Sequence, residues 1–409
     1  MIDYFLVIFS GTFIGILTGL LPGMSINNLL PVFLTFTFLK PEMLAIFIAS
    51  VAISQLLTNF FPSIFLGAPS SETSISVLPG HKLLLEGRGY EALKLCLSGA
   101  IFSIVFSLIL IFILSPFFKD FYYTLRPYVF YLIFFVSIFM ILSEKQPKEI
   151  LFSLLIFLLA GFVGVVILSS PLSSSNILFP MLSGFFGLST LIISLKEESF
   201  LPKQKIDEEL KIKKINFVKS SLLGSIFGLI VGFLPAVGVS QAAVIAQTLA
   251  KLGDPRNFLV TIGAISVANE IFSLNSLYLV NNPRSGASAA IQRILPEISF
   301  QDFLTIVASI LISSSLTIVF ILFFAKKFHK LLLKVNYSIL NIVIILFLSS
   351  LVFIFTGFVG LLVFFTCGAI GILAAELNVR RSHCMGCLLV PSMIFFYGAT
   401  NTVLSFLFG

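Results

Sequence analysis

The chain has 409 residues, 58% of them hydrophobic and 11% charged, with a mean hydropathy of +1.11 and a formal net charge of +7. Soluble domains carry about 25% charged residues, so this composition excludes a water-soluble globular class and places the chain in a bilayer. The basic excess falls in short loops between apolar runs, where the positive-inside rule accounts for it without a nucleic-acid partner.

The apolar runs predict helices in chain order. Period-2 alternation is lacking, which argues against a membrane barrel. With 48 phenylalanines and no tryptophan, the nine tyrosines must supply any interfacial aromatic belt. The N-terminus has no basic leader or small-residue cleavage site and reads as a retained first helix. A first span covers 4–21 and runs into a broken segment, 22–39. A second span, 42–60, leads into polar residues 67–81. Plain spans follow at 95–114, 122–142, 150–169 and 177–195. The one long polar stretch, Lys196 to Lys219, is a basic linker (196–216) between an N-terminal membrane repeat, 1–195, and a C-terminal one, 217–409. In the second half a span at 217–234 breaks at Pro235 and resumes over 238–250. The span 258–280 then leads into polar residues 281–293, followed by plain spans at 302–325, 337–355, 356–375 and 386–408.

The two halves repeat one programme. Gly11, Gly15, Gly19 and Pro22 share their spacing with Gly224, Gly228, Gly232 and Pro235. GFVG occurs at 161–164 and at 357–360, and LGAPSSETSIS (66–76) matches LVNNPRSGASA (279–289) in order and character. The glycine spacing by itself also suits close helix packing. Basic loops place the linker, 145–149, the Arg88–Lys94 region, 326–330 and Arg380–Arg381 on the cytoplasmic side. Spans 95–114 and 302–325 then run in opposite directions, with both termini outside. The expected fold is an all-α polytopic membrane protein of two inverted-topology repeats with broken or re-entrant helices and about 10–14 membrane segments.

Interrupted helices in inverted repeats are the architecture of secondary transporters. Backbone groups cannot stay unpaired in lipid, so a break is tolerable only where a ligand, water or protein receives them. Half-helix N-termini then offer N–H groups and a positive dipole end to an anion. Pro22, Pro69, Pro235 and Pro283 mark the breaks. Candidate substrate-binding residues are Gly23, Ser25, Asn27 and Asn28; Gly67, Ser70, Ser71, Thr73 and Ser74; Gly238 and Ser240; and Asn282, Arg284, Ser285 and Gly286. Arg284 is the specific cation for a carboxylate, because its planar fork binds bidentately; the alternative is an interfacial anchor. Glu72 and Glu270 are candidates for ion coupling, with Asn269 beside Glu270 and Asn59 in a comparable place in the first half. Glu376, near a helix end, reads as structural. His383-Cys-Met-Gly-Cys387 holds a CxxC, but no second ligand pair accompanies it, and two ordinary cysteines at a helix start are the simpler reading. HExxH, GxSxG, Walker A and paired intramembrane aspartates are all missing from the sequence, so an enzyme is not expected.

These motifs resemble the large membrane subunit of tripartite tricarboxylate transporters, the TctA family. The glycine-rich LPG segment, Gly67-Ala68-Pro69, Leu78-Pro79-Gly80-His81-Lys82, Glu86-Gly87-Arg88, MLSGFFGLSTLIISL (181–195), GLIVGFLPAVG and GILAAELNVRRSHCMGCLLVP carry the resemblance across nearly the whole chain. The family's glycine- and alanine-rich second loop reads NNPRSGASAA here, and its Asn-Asn-Ala segment reads Ala268-Asn269-Glu270. The resemblance implies a plasma-membrane permease driven by a Na+ or H+ gradient. It also implies a small membrane subunit and an extracytoplasmic binding protein as partners, and no organic cofactor. The expected function is secondary transport of a small organic anion, a carboxylate with tricarboxylates among the candidates, by alternating access. The competing reading is translocation of a lipid-linked phosphate held at the same helix ends.

Overall fold

A computed structural model describes residues 2–21, 26, 29, 33, 36, 39–68, 73, 76–118, 120, 124, 126–144, 146–169, 174–196, 202–206, 210–233, 238–249, 253–332, 337–400, 402 and 405. Among them the ordered elements are helices, with no strand. In the first half these are α1 (Ile2–Gly19), α2 (Pro41–Thr58), α3 (Phe60–Phe65), α4 (Val77–Leu85), α5 (Gly89–Leu114), α6 (Val129–Leu142) and α7 (Pro147–Leu168). They are followed by α8 (Ser174–Leu182), which continues through a π-helical stretch, Ser183–Leu188, into α9 (Ser189–Lys196). The second half holds α10 (Lys214–Phe233), α11 (Val239–Leu249), α12 (Pro255–Val280), α13 (Gly286–Ile294), α14 (Phe300–Leu332), α15 (Tyr337–Glu376) and α16 (Gly386–Tyr397). Seven helices among the described residues are long and apolar enough to cross a membrane. The predicted spans differ from these elements in four places: the polar stretches 67–81 and 281–293 contain residues of the short helices α4 and α13, α10 begins inside the predicted linker, the spans 337–355 and 356–375 form the one kinked helix α15, and α16 stops at Tyr397, short of the predicted 408.

The helices separate into an enclosed pair and an outer set. The most apolar window of Pro41–Phe65 is wholly buried and that of Pro255–Val280 is 94% buried, whereas that of Asn341–Glu376 is 22% buried. The enclosed pair carries the polar residues. Ser50, Ser54, Gln55 and Thr58 on α2, Asn59 just after it, and Thr261, Ser266, Asn269, Glu270, Ser273 and Asn275 on α12 are all buried. Polar groups at membrane depth survive only inside protein. The outer helices instead expose large apolar side chains such as Phe112, Phe135, Val319 and Ile354, which suits contact with lipid tails.

The duplicated glycines let these helices approach. A Cβ on Gly15 would lie 2.5 Å from Val51 O and 2.7 Å from Ser54 Cβ; one on Gly228 would lie 2.7 Å from Ile265 O and 2.3 Å from Ala268 Cβ. Gly11 faces Phe47 and Ser50, and Gly19 faces Gln55 and Thr58; Gly224 faces Thr261 and Ala264, and Gly232 faces Asn269 and Phe272. Contacts advance together along both partners, so α1 runs parallel to α2, and α10 to α12. Each parallel pair requires its intervening chain to cross back between them.

The third long helix of each half packs in the other half. Gly99 and Gly263 seat α5 on α12, Ser103 Oγ donates to Ala264 O at 2.8 Å, and Ser225 Oγ donates to Ser103 Oγ at 3.1 Å. On the other side, Thr12 Oγ1 donates to Ser313 Oγ at 2.9 Å, joining α1 to α14, and Phe61 packs edge-on against Phe324 and Phe328. The short helices follow suit, α4 packing on α12 and α13 on α2. The first turn of α5 meets the last third of α14, where Lys326 Nζ lies 5.9 Å from the Tyr90 ring. The trio α1, α2 and α14 therefore runs towards the end from which α5, α10 and α12 start, and that end is the basic one.

The described linker residues, 202–206 and 210–213, lie against this basic end. Gln204 Oε1 accepts from Gly89 N at 2.9 Å, Lys205 N donates to Gly87 O at 2.8 Å, and Lys211 N donates to Glu91 Oε1 at 3.2 Å. Glu91 also pairs with Arg88 and Arg256. The remaining helices form an outer group, in which Gly164 of α7 lies against Cys387 O and Gly184 against Phe364 O. The two GFVG motifs differ in role. Gly161 and Gly164 are packing positions within α7, whereas Gly357 has φ +65° and ψ −158° and breaks α15 into two arms. Each arm is about the length of one crossing.

Candidate functional site

The site is built where α12 ends. Asn281 adopts the left-handed conformation (φ 49°) that stops the helix, and Gln292 Nε2 donates to its side-chain and backbone oxygens at 2.8 and 3.0 Å. The chain then turns back along α12. Asn282 O accepts from Ser276 Oγ at 2.9 Å, Arg284 N and Ser285 N donate to Ser273 Oγ at 3.0 and 2.6 Å, and Ser285 Oγ donates to Glu270 Oε1 at 2.9 Å. The residues met on α12 fall from 276 to 273 to 270 as the loop advances. The N-terminus of α13 is thereby set about two turns below the end of α12.

Ser285 caps α13 reciprocally. Its hydroxyl accepts from Ser288 N at 3.1 Å, and Ser288 Oγ accepts from Ser285 N at 3.0 Å. Ser273 Oγ lies 2.8 Å from Ser288 Oγ, so three hydroxyls clasp the start of α13. Pro283 sits in the turn, and Gly286 opens the helix. Of the second-half predictions, Asn282, Arg284, Ser285, Gly286 and Glu270 are brought together. Arg284 is half-buried, with its backbone N–H committed to this clasp.

The first half holds a related clasp. Thr73 O accepts from Ser63 Oγ at 3.1 Å and from Ser76 Oγ at 2.6 Å, and the two serine hydroxyls lie 2.9 Å apart. Ser63, Thr73 and Ser76 thus play the parts of Ser273, Ser285 and Ser288 at the start of α4. Gly67, with φ +62°, sits beside Leu191 and His81. Pro22, Gly23, Ser25, Asn27, Asn28, Pro69, Ser70, Ser71, Glu72, Ser74 and Pro235 lie outside the described residues. Gly238 precedes α11, its carbonyl accepting from Ala242 N at 3.1 Å, and Ser240 is buried in that helix's first turn.

Asn59 does not occupy the place of Asn269 and Glu270. The glycine register pairs Gln55, whose carbonyl faces Gly19, with Asn269, whose carbonyl faces Gly232. Asn59 instead marks the join of α2 and α3, where its carbonyl accepts from Ser63 N at 3.3 Å. Sequence reasoning passed over Ser63, Ser273 and Asn275. The two serines follow an apolar span and look like ordinary helix serines. Asn275 is fully buried, and among the described residues neither of its amide atoms is hydrogen-bonded, a position that costs about 1–3 kcal/mol unless a partner is supplied.

Residues 5–386 match the tripartite tricarboxylate transporter TctA family. An uncharacterized protein of Methanocaldococcus jannaschii is 31% identical over 395 residues, covering 94% of this chain and 97% of its own. The chain belongs to the TctA family. It is therefore a multi-pass membrane protein and a transporter component, in agreement with the resemblance read from its motifs. No solved structure matches it.

The CxxC region of this TctA-family chain is structural in its surroundings. Cys367, Cys384 and Cys387 are buried, burial pushes the Cys384 thiol up to about 12, and no group of metal-ligating side chains occurs among the described residues. His383 Nε2 lies 2.7 Å from Glu144 Oε1, which also accepts from Arg380 Nε at 2.8 Å. Burial lowers the His383 pKa and outweighs the pull of Glu144, which keeps the imidazole neutral and donating. Burial pushes the Glu144 carboxyl up, but the hydrogen bonds from Arg380 and His383 bring it below its usual range. This cluster fastens the α6–α7 turn to the segment before α16 at the membrane surface.

Proposed function

We propose that the chain is the permease subunit of a secondary transporter that moves a small organic anion, a carboxylate, across the plasma membrane by alternating access. The observation that carries this reading is the return of the chain from Val280 to the level of Glu270, which puts the N-terminus of α13 inside an enclosed helix pair. Amides and hydroxyls at such an end suit a carboxylate. Asn282, Arg284, Ser285 and Gly286 are the proposed binding residues, joined by Gly67 and Thr73 of the other clasp. Gly23, Ser25, Asn27, Asn28, Ser70, Ser71, Ser74, Gly238 and Ser240 complete the proposed set.

The same proposal takes the halves as inverted repeats. Two parallel helix pairs, two hydroxyl clasps and the reciprocal exchange of α5 and α14 support it. The basic end, holding Arg88, Lys94, Arg256 and Lys326, is assigned to the cytoplasm. A Na+ or H+ gradient supplies the driving force, and a small membrane subunit and an extracytoplasmic binding protein complete the system. Reconstituted protein, alone and with those subunits, should exchange labelled citrate, succinate or another di- or tricarboxylate between equal internal and external pools. Lack of saturable exchange with every carboxylate, or copurification of a lipid phosphate that the protein transfers, would overturn the reading.

A further inference from the structure

Glu270 is a carboxylate enclosed at membrane depth, 8% exposed, on a helix whose neighbouring residues Ala268, Ile271 and Phe272 are buried. Among the described residues its one hydrogen-bond partner is Ser285 Oγ. The titratable and charged groups on the elements around α12 are Lys214 and Lys219 on α10, Glu91, Lys94 and Cys96 on α5, and His81 and Lys82 on α4. To these add Tyr90 on α5, Asp302, Lys326 and Lys327 on α14, Glu42 on α2, Arg284 before α13, Arg293 in its last turn, and Arg256 and Tyr278 on α12 itself. None forms an ion pair with Glu270 among the described residues.

The hydroxyl that meets Glu270 is also the cap of α13. Ser285 Oγ has a single proton, and an ionised Glu270 can only accept it. In that state the negative charge stands at the helix end where a second anion would bind. Once Glu270 takes a proton, the roles can reverse, with the carboxyl O–H donating to Ser285 Oγ. The serine proton is then released to a new acceptor, and the like charge is gone. One proton uptake therefore frees a donor and removes a repulsion at the same place.

We propose that Glu270 is the proton carrier of coupled transport, and that a carboxylate anion binds at the N-terminus of α13 together with one proton on Glu270. This rests on the transport reading above. The proton comes from water on the loading side and leaves to water on the other; no covalent bond is made or broken.

The test uses the full chain in proteoliposomes with labelled citrate as the probe. Wild type should accumulate citrate under an inwardly directed proton gradient without sodium. Glu270→Gln, which mimics the protonated acid, should lose that accumulation by about tenfold or more yet keep citrate exchange between equal pools. Glu270→Asp should retain gradient-driven uptake at a lower rate. Accumulation by Glu270→Gln equal to wild type would overturn the proposal, as would loss of both activities in a variant that elutes and melts as wild type, or wild-type uptake driven by sodium alone. Failure of wild type to exchange citrate counts against the transport reading instead. Infrared difference spectroscopy then decides for Glu270: citrate binding should raise a protonated-carboxyl band that is missing in Glu270→Gln. No such band in wild type, or the same band in the variant, overturns the assignment.

Discussion

At the residue scale, single hydroxyls and carboxylates act by where the chain brings them. Ser273 looks like any helix serine in sequence, yet its Oγ receives two backbone N–H groups of the returning loop. Glu270 was visible as an acid in an apolar run and Ser285 as a loop hydroxyl, whereas their pairing across fifteen residues was not. At the membrane surface, Glu144 and His383 set a measurable acid limit. The depressed Glu144 carboxyl contributes stability above its unfolded value, and that contribution is lost as pH falls through the folded one. The lowered His383 pKa acts in the same sense, its contribution fading once pH drops below the unfolded histidine value. Melting in detergent should therefore decline from about pH 6.5 to below about pH 4. Glu144→Gln should remove the carboxylate part of the decline and deepen the histidine part, since His383 loses the charge that raises its pKa, and an equal pH dependence in wild type and variant would refute this account.

At the element scale, glycine does two different jobs. Gly228 is required because backbone and side chain of α12 fill the space a Cβ would take, and Gly357 because its φ is positive in open surroundings. Gly228→Leu should force α10 from α12 and abolish folded, monodisperse protein or its transport. Gly253→Ala, where a Cβ meets nothing within 4 Å, should melt within about 1 °C of wild type. Size-exclusion profiles and thermal melts distinguish the two. The spans were legible because an apolar run of crossing length has few alternatives to a helix. Helices α4 and α13 were not, since nine-residue stretches rich in hydroxyl groups also suit turns, and their caps depend on neighbours.

At the scale of the whole molecule, the halves are interlocked. The central helix α2 is covered by α13 and α14 from the second half, and α12 by α4 and α5 from the first. Residues 1–196 expressed alone should not yield a stable membrane domain, because the enclosed helix α2 would lose the cover it takes from α13 and α14. Co-expression with residues 202–409 should restore a complex that copurifies in detergent. A stable, monodisperse N-terminal half by itself would show that the exchange contributes little.

The sequence by itself determined the membrane class, the order of the long apolar helices and the duplicated glycine spacing. These depend on local composition and on conformational limits that each residue carries wherever it lies. Only the tertiary structure decided which long helix covers which central one, that Gln55 rather than Asn59 matches Asn269, and that Ser273, Ser285, Ser288 and Glu270 meet at one helix end. Those pairings join residues on separate helices or across the turn after Val280. They exist because buried polar groups must find partners in a lipid-excluded interior, and the chain can supply them only by folding back on itself.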